Sequence, residues 1–290
     1  MTRNAETVAS IRALFQRLEL QDIPQRVDLL QGGYLNSVYL VETDIRKLVL
    51  KFFAEPIKGT LFPNLPADEA AASRLLAPLY VAPNLIGYWP DAQVMASAYV
   101  EGGTWDGDMS AVAALLLRKE AADPAGFRHV PLTPRDILTE GDRLFARSDL
   151  PAPARPVPID LPPPFRLSLI HTDIGASNLI GQGDGLRLID WQCPAAGDLC
   201  EDIYSFLSPA FQILSQRTPF SQQDRQQFFS SLNLPAVEAR YHQLEPFFAW
   251  RMAGYCGLRA STHADADVRA RYCRALNAET SPILDRADAD

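Results

Sequence analysis

Four residues in one short stretch have the types and the spacing to handle a phosphoryl group. Leu169–Phe206 reads LIHTDIGASNLIGQGDGLRLIDWQCPAAGDLCEDIYSF, with His171, Asp173 and Asn178 in its first half and Asp190 ending a later apolar run. Transfer to an alcohol needs an acceptor for the hydroxyl proton, in line with the terminal phosphate, and little covalent help. Asp173 at a strand-to-loop edge can be that acceptor, and His171 can hold the loop through its ring N–H. An isolated His-x-Asp would serve equally well as a structural capping pair. Asn178 separates the two: an amide oxygen five residues past the acid, across the bend at Gly175, can coordinate a hard cation such as magnesium without adding charge. Asp190 can then supply the carboxylate that bridges metal and phosphates.

These residues need elements to position them. Thr7–Leu18 carries a helical apolar stripe, followed by strand-like runs at Arg26–Leu30, Ser37–Glu42 and Lys47–Phe53. A covering helix is predicted over Pro66–Leu79, then strands at Asn84–Tyr88 and Gln93–Val100. Gly102-Gly103 breaks the pattern and marks a natural hinge, so residues 1–101 are expected to form one lobe and 102–290 another. Helical patterns follow at Ser110–Ala122 and Thr133–Ser148. Seven of the fourteen residues from Pro151 to Pro164 are proline, a run that must lie extended on the surface. The remainder reads as helix at Ile203–Leu214, Gln222–Leu232, Ala236–Arg259 and Asp265–Ala278, with an acidic, frayed DRADAD tail. The two acids and the amide thus sit at the ends of two strand-like runs joined by a turn, at the junction of a sheet-rich and a helical lobe.

Composition narrows the partners. The 290 residues are 47% hydrophobic and 21% charged, as in an ordinary soluble globular protein with ample core. A net charge of −8 argues against general nucleic-acid binding, which needs a basic surface. No run approaches the ~18 apolar residues of a membrane span, and the N-terminus lacks the apolar core of a secretion signal. Cys193, Cys200, Cys256 and Cys273 form no CxxC pair. A reduced cytoplasm is the expected compartment, with the protein a monomer or homodimer.

The motif stretch resembles the catalytic core of the aminoglycoside phosphotransferase and choline kinase family, relatives of the protein kinases. His171-Thr172-Asp173 with Asn178, Ile189-Asp190-Trp191, Gly197-Asp198 and Asp202 are similar to that family's HGDxxxxN loop, Ile-Asp-Phe/Trp step and Gly-Asp…Asp helix opening. Thr172 stands where the family usually has glycine, and Leu199 where proline is frequent. The resemblance implies an α+β, protein-kinase-like two-lobed fold, ATP and Mg2+ as cofactors, Asp173 as base, and Asn178 and Asp190 as metal ligands. It makes Asp198 and Asp202 structural, one capping the helix and the other fixing the loop.

The resemblance also requires a glycine hairpin, a strand lysine and a helix acid, in that order. Gly32-Gly33-x-x-Asn36 lies between the first two strands, Lys51 ends the third, and Glu69 is on the covering helix. Val49, Lys51 and Phe53 share one strand face, which aims the lysine at the nucleotide phosphates and at Glu69; Lys47 and Glu55 are its rivals in another register. An ion pair at ~4 Å with an effective dielectric near 20 is worth roughly 4 kcal/mol before desolvation, enough to orient a lysine. MASAYVEG, with Ser97 and Tyr99, is the expected hinge, where a base would meet backbone.

Only eleven residues separate Asp190 from Asp202, too few for a peptide-binding activation segment, so a small hydroxyl-bearing acceptor is favoured. Trp191, Glu245, Trp250 and Tyr255 are the acceptor-lining candidates, since aromatics near acids can cage an amine, although aromatics in late helices commonly belong to a core. The acceptors implied by the family run from aminoglycosides through choline and ethanolamine to sugars. Two other classes compete. A nucleotide-binding module without catalysis would keep the fold, and a metal-dependent phosphohydrolase would want further ligand histidines, for which His129, His242 and His263 have no supporting motif.

Overall fold

The computed structural model describes residues 2–30, 36–55 and 59–287. Helix α1 (Thr2–Arg17) precedes β1 (Pro24–Leu30), β2 (Ser37–Thr43) and β3 (Lys47–Phe52), and α2 (Pro66–Leu76) precedes β4 (Leu85–Trp89) and β5 (Val94–Ala98). The five strands form one antiparallel sheet in the order β1-β2-β3-β5-β4. Period-two alternation in KLVLKFF assigns its faces. Leu48 and Leu50 pack with Val41, Val94 and Ala96 against Ile11 and Phe15 of α1. Phe53 instead meets Met95 and Ala70 of α2. Lys51, in register with Met95, lies on the α2 side.

After Gly102 the chain is mainly helical: α3 (Met109–Lys119), α4 (Pro134–Phe145), α5 (Leu199–Leu207), α6 (Pro209–Leu214), α7 (Gln222–Leu232), α8 (Pro235–Thr262) and α9 (Ala266–Ala287). Helix α8 packs on α4, α5 and α9. Gly102, at φ +119, lies so close to Gly181 that a side chain would stand 3.1 Å from the Gly181 Cα. Gly181 N–H donates to Gly103 O at 2.9 Å, which docks the interlobe connection on the loop that follows Asn178.

The predicted elements are present with small boundary shifts, and residues 151–164 carry neither helix nor strand. Three details differ. The single helix expected over Ile203–Leu214 is two, because Pro209 cannot donate its N–H and Ser208 adopts an extended conformation and caps α6 through Phe211 N–H. Helix α9 runs past Ala278 to Ala287, into the tail expected to fray, whose last three residues lie outside the described residues. The two strand-like runs of the motif stretch belong to separate two-stranded sheets. β6 (Ser168–Ile170) pairs with β9 (Ala195–Gly197), while β7 (Leu179–Ile180) pairs with β8 (Arg187–Leu188).

Candidate active site

Two lobes supply the site. From the sheet, Lys51 Nζ donates to both Glu69 carboxylate oxygens, at 2.8 and 2.7 Å, and it also bonds to Asp190 Oδ1 from the helical lobe. Glu69 is 2% exposed and Lys51 6%. Burial by itself would push the ammonium to lose its proton; the Asp190 and Glu69 carboxylates outweigh that and hold its pKa above the ordinary lysine range. The expected register therefore holds. Lys47 is exposed beside Glu101 instead, 3.3 Å away.

The loop from His171 to Asn178 is anchored from below. Asp202, fully buried on α5, accepts the backbone N–H groups of His171 (2.9 Å) and Thr172 (3.0 Å). Its charge is met by Lys119 Nζ at 3.3 Å, a lysine that is itself fully buried and donates to Leu169 O. Asp198 caps α5 by accepting Cys200 N–H and is paired with Arg240 at 2.6 Å. Thr172 occupies left-handed backbone at φ +70, a region that suits glycine and strains a β-branched residue. Its hydroxyl offsets part of that strain by donating to Cys193 O at 3.1 Å.

His171 is buried, and both ring nitrogens face backbone. Nδ1 accepts the Asp173 N–H at 3.2 Å, so Nε2 carries the proton donated to Ile189 O at 3.0 Å. Burial lowers its pKa, against the pull of Asp202, and keeps the ring neutral. The imidazole thus ties the Asp173 loop to the residue preceding Asp190. For Asp173, burial and then the negative charge of Asp190 push the carboxyl up to about 7, with Gln192 and Lys51 opposing. Asp190 behaves oppositely. Burial would raise it, but the adjacent Lys51 charge holds it below the usual carboxylate range. Two neighbouring acids are driven apart, one raised toward neutrality and one held below the usual carboxylate range.

Asn178 donates its amide nitrogen to Asp173 O at 2.9 Å, which fixes the side chain and leaves its oxygen as the atom to meet a cation. With Asp190 it offers two hard oxygen ligands. Among the described residues no three His, Cys, Asp or Glu side chains converge as a metal cage. Two protein oxygens plus water and phosphate suit Mg2+, which keeps much of its hydration.

The other sequence candidates fall into different places. Gly32 and Gly33 lie outside the described residues. Asn36 is buried, and its amide is engaged with Asn64 and with Ala54 N–H. Ser97 is in β5 opposite Val49, and Tyr99 N–H reaches Lys47 O at 3.4 Å, so both sit at the interlobe connection. Of the acceptor-lining candidates, Trp191 stacks edge-on against His171 and donates to Leu188 O inside the core. Trp250 is 3% exposed and held by Phe145 and Asp142. Glu245 is occupied by Arg225 and Tyr241. Tyr255 has its pKa raised by burial and by the Tyr272 hydroxyl, against Arg259, with a smaller push from the Asp173 carboxylate.

A cavity beside Thr172 is lined by Thr60, Phe62, Glu201, Arg251 and Phe211. Arg251 bridges Glu201 at 2.6 Å and Glu140 at 3.2 Å within it. These residues carry no sequence motif. Lys119 was detectable in principle: it shares the apolar helical stripe of Val112, Leu115 and Leu116, where a solvated lysine has no place.

A model of the phosphotransferase enzyme family (APH) matches residues 26–247. Thiamine kinase from Escherichia coli O139:H28 is 43% identical over 42 residues, which is 14% of this chain and 15% of that protein, so the chain matches only about a seventh of the length of such curated relatives. Choline kinase LicA from Streptococcus pneumoniae superimposes with a TM-score of 0.64 at 18% identity, over 95% of this chain and 99% of that one. Spectinomycin phosphotransferase APH(9)-Ia gives 0.60 at 10% identity, over 94% and 97%. Macrolide 2'-phosphotransferase MphH from Brachybacterium faecium gives 0.59 at 16%, over 94% and 98%. At such identities these structures establish the α+β, kinase-like fold. The family match spans well over half of the chain and includes both the Lys51–Glu69 pair and the loop of Asp173, and on that ground the chain belongs to the phosphotransferase enzyme family.

Proposed function

We propose that the protein transfers the terminal phosphate of ATP to a hydroxyl of a small-molecule acceptor. The observation that carries this reading is Lys51, held by Glu69 within its own lobe and by Asp190 from the other. A lysine so fixed presents one charge to nucleotide phosphates at the lobe junction, in the manner phosphoryl transfer requires. Asp173 takes the acceptor proton, because its raised pKa makes it a better base than an ordinary aspartate. His171 holds the loop and remains neutral. Asn178 and Asp190 would hold Mg2+, which neutralises phosphate charge when bound. We place the boundary between lobes at residues 101 and 102, beside Gly102.

The acceptor lies on the Tyr255 side of Asp173, under Phe62. Choline, ethanolamine, thiamine, aminoglycosides and sugars are the classes to offer, the first and third prompted by the choline and thiamine kinases to which the chain is similar. Purified protein with ATP and Mg2+ is given pools of these alcohols while ADP release is followed. Acceptor-dependent release above the ATPase background supports the reading. A melting temperature unmoved by ATP and Mg2+, together with no turnover, overturns it.

A further inference from the structure

One buried contact has no part in the phosphoryl-transfer chemistry. Asn36 and Asn64 face each other as an amide pair: Asn36 Nδ2 donates to Asn64 Oδ1 at 3.1 Å, and Asn64 Nδ2 donates to Asn36 Oδ1 at 2.9 Å. Asn36 Oδ1 also accepts Ala54 N–H at 3.0 Å, and Asn64 Nδ2 reaches Ala54 O at 2.9 Å. Asn64 is 0% exposed and Asn36 8%. Two interlocked amides away from water are expensive to separate, since each group left unpaired costs about 1–3 kcal/mol. The knot closes the end of the β2–β3 ladder, whose last pair is Ser37 with Phe52, one residue beyond Lys51.

From this knot residues 59–65 run onto the helical lobe. Leu65 N–H donates to Gln192 O at 2.8 Å, two residues past Asp190. Phe62 stands edge-on to Tyr255 at 4.9 Å and to Phe211 at 5.9 Å, and Gly59 O accepts from Arg147 at 2.9 Å. One strap therefore joins the Lys51 strand and the Asp190 segment and, through Thr60, Leu61 and Phe62, lines the cavity beside Thr172. Rigid links of this kind transmit a bias when both ends have a ligand to sense.

We infer that Asn64 is a positioning residue, which couples nucleotide held at Lys51 to the placement of Phe62 over the acceptor cavity. This rests on the phosphotransfer reading in requiring that nucleotide binds at Lys51 and that the acceptor enters beside Phe62. Nucleotide that pulls on β3 moves or stiffens Ala54, the amide knot passes this to Asn64, and the strap settles Phe62 against Tyr255 and Phe211. The acceptor site is thereby completed after ATP is in place.

The test needs no acceptor. Amide hydrogen exchange of residues 60–65 is followed in the full chain, with and without a non-hydrolysable ATP analogue and Mg2+; Pro63 is silent, and the Leu65 amide reports the Gln192 contact directly. The inference expects at least tenfold slower exchange with nucleotide in the wild type. In Asn64→Ala most of that protection is lost while nucleotide affinity stays within about threefold. Should Asn64→Ala fail to fold, Phe62→Ala serves instead: it breaks the ring contacts with Tyr255 and Phe211 but leaves the knot, so Leu65 protection persists and that of the amides at positions 61 and 62 is lost. Nucleotide binding without added protection at 60–65, or full protection in Asn64→Ala, overturns the coupling alone. No nucleotide binding by the wild type overturns the phosphotransfer reading as well.

Discussion

Individual side chains make the sharpest predictions. Asp173→Asn removes the proposed base but keeps the hydrogen-bonding shape of the loop. Turnover on an identified acceptor should fall by about 10²–10⁴-fold with nucleotide affinity little changed, as measured by steady-state rates and a thermal-shift titration. Unchanged turnover would remove Asp173 from the mechanism. Asp190→Asn should act differently, abolishing the dependence of nucleotide affinity on Mg2+, because the charged oxygen proposed to hold the cation is gone. Thr172 allows a test of strain rather than chemistry. Both Thr172→Ala and Thr172→Gly lose the bond to Cys193 O, but only glycine escapes the left-handed penalty at φ +70. Glycine should therefore be more stable than alanine by about 1–2 kcal/mol in urea unfolding. An alanine variant equal to the glycine variant would mean that the loop relaxes away from this conformation.

Elements set the positions these side chains depend on. The loop of Asp173 has little regular structure of its own, and its geometry is imposed by α5 through Asp202 and by α3 through Lys119. The contact of α4 with α8 is close enough to exclude a methyl group. A side chain at Gly141 would stand 2.5 Å from the Trp250 ring, and one at Gly254 would stand 2.9 Å from Gly141 O. Gly254→Ala should cost about 1–3 kcal/mol by overpacking, read as a lower unfolding midpoint. It should also shift Arg251, three residues away in the cavity lining, with no change in nucleotide affinity. Sequence patterns reveal such helices far better than they reveal such contacts. The apolar stripes of α3 and α7 are visible from spacing, but which glycine faces which tryptophan depends on a packing partner over a hundred residues away.

At the scale of the whole molecule, burial changes how stability responds to pH. Glu279 on α9 is 2% exposed and accepts from Tyr204 at 2.8 Å, from Ala210 N–H at 2.9 Å and from Ser208. Burial raises its carboxyl to about 7, although those three bonds oppose the shift. Folding therefore favours the protonated form. The stability tied to Glu279 is fully present below its ordinary value of 4.5 and is lost as pH rises through about 7. Glu279→Gln keeps the shape and removes the titration. Between about pH 5 and pH 8 the wild type should lose up to ~3 kcal/mol relative to this variant, at 1.36 kcal/mol per pKa unit, read from urea midpoints across that range. Parallel pH profiles for the two proteins would show that the native carboxyl titrates normally. Among the described residues no helix is long and apolar enough to cross a membrane.

The sequence by itself determined the order of elements, the motif stretch and the family. Each is encoded locally: period-two runs make strands, apolar helical stripes make helices, and His171, Asp173, Asn178 and Asp190 lie within twenty residues of one another. Lys51 and Glu69 were legible because one alternating strand and one helix N-terminus restrict where they can point. The cavity could not be read this way. Trp191, Glu245 and Trp250 have the composition of an acceptor site, yet the fold spends them on His171, Arg225 and Phe145. Tyr255 is joined instead by Phe62, from the other lobe, and the cavity that Phe62 lines contains an Arg251 that no motif marks. The physical reason is range. Backbone hydrogen bonding and side-chain periodicity act over a few residues, whereas the neighbours of a buried aromatic or the pKa of a buried acid are set by whatever distant segments exclude water from it, and only the folded chain brings those together.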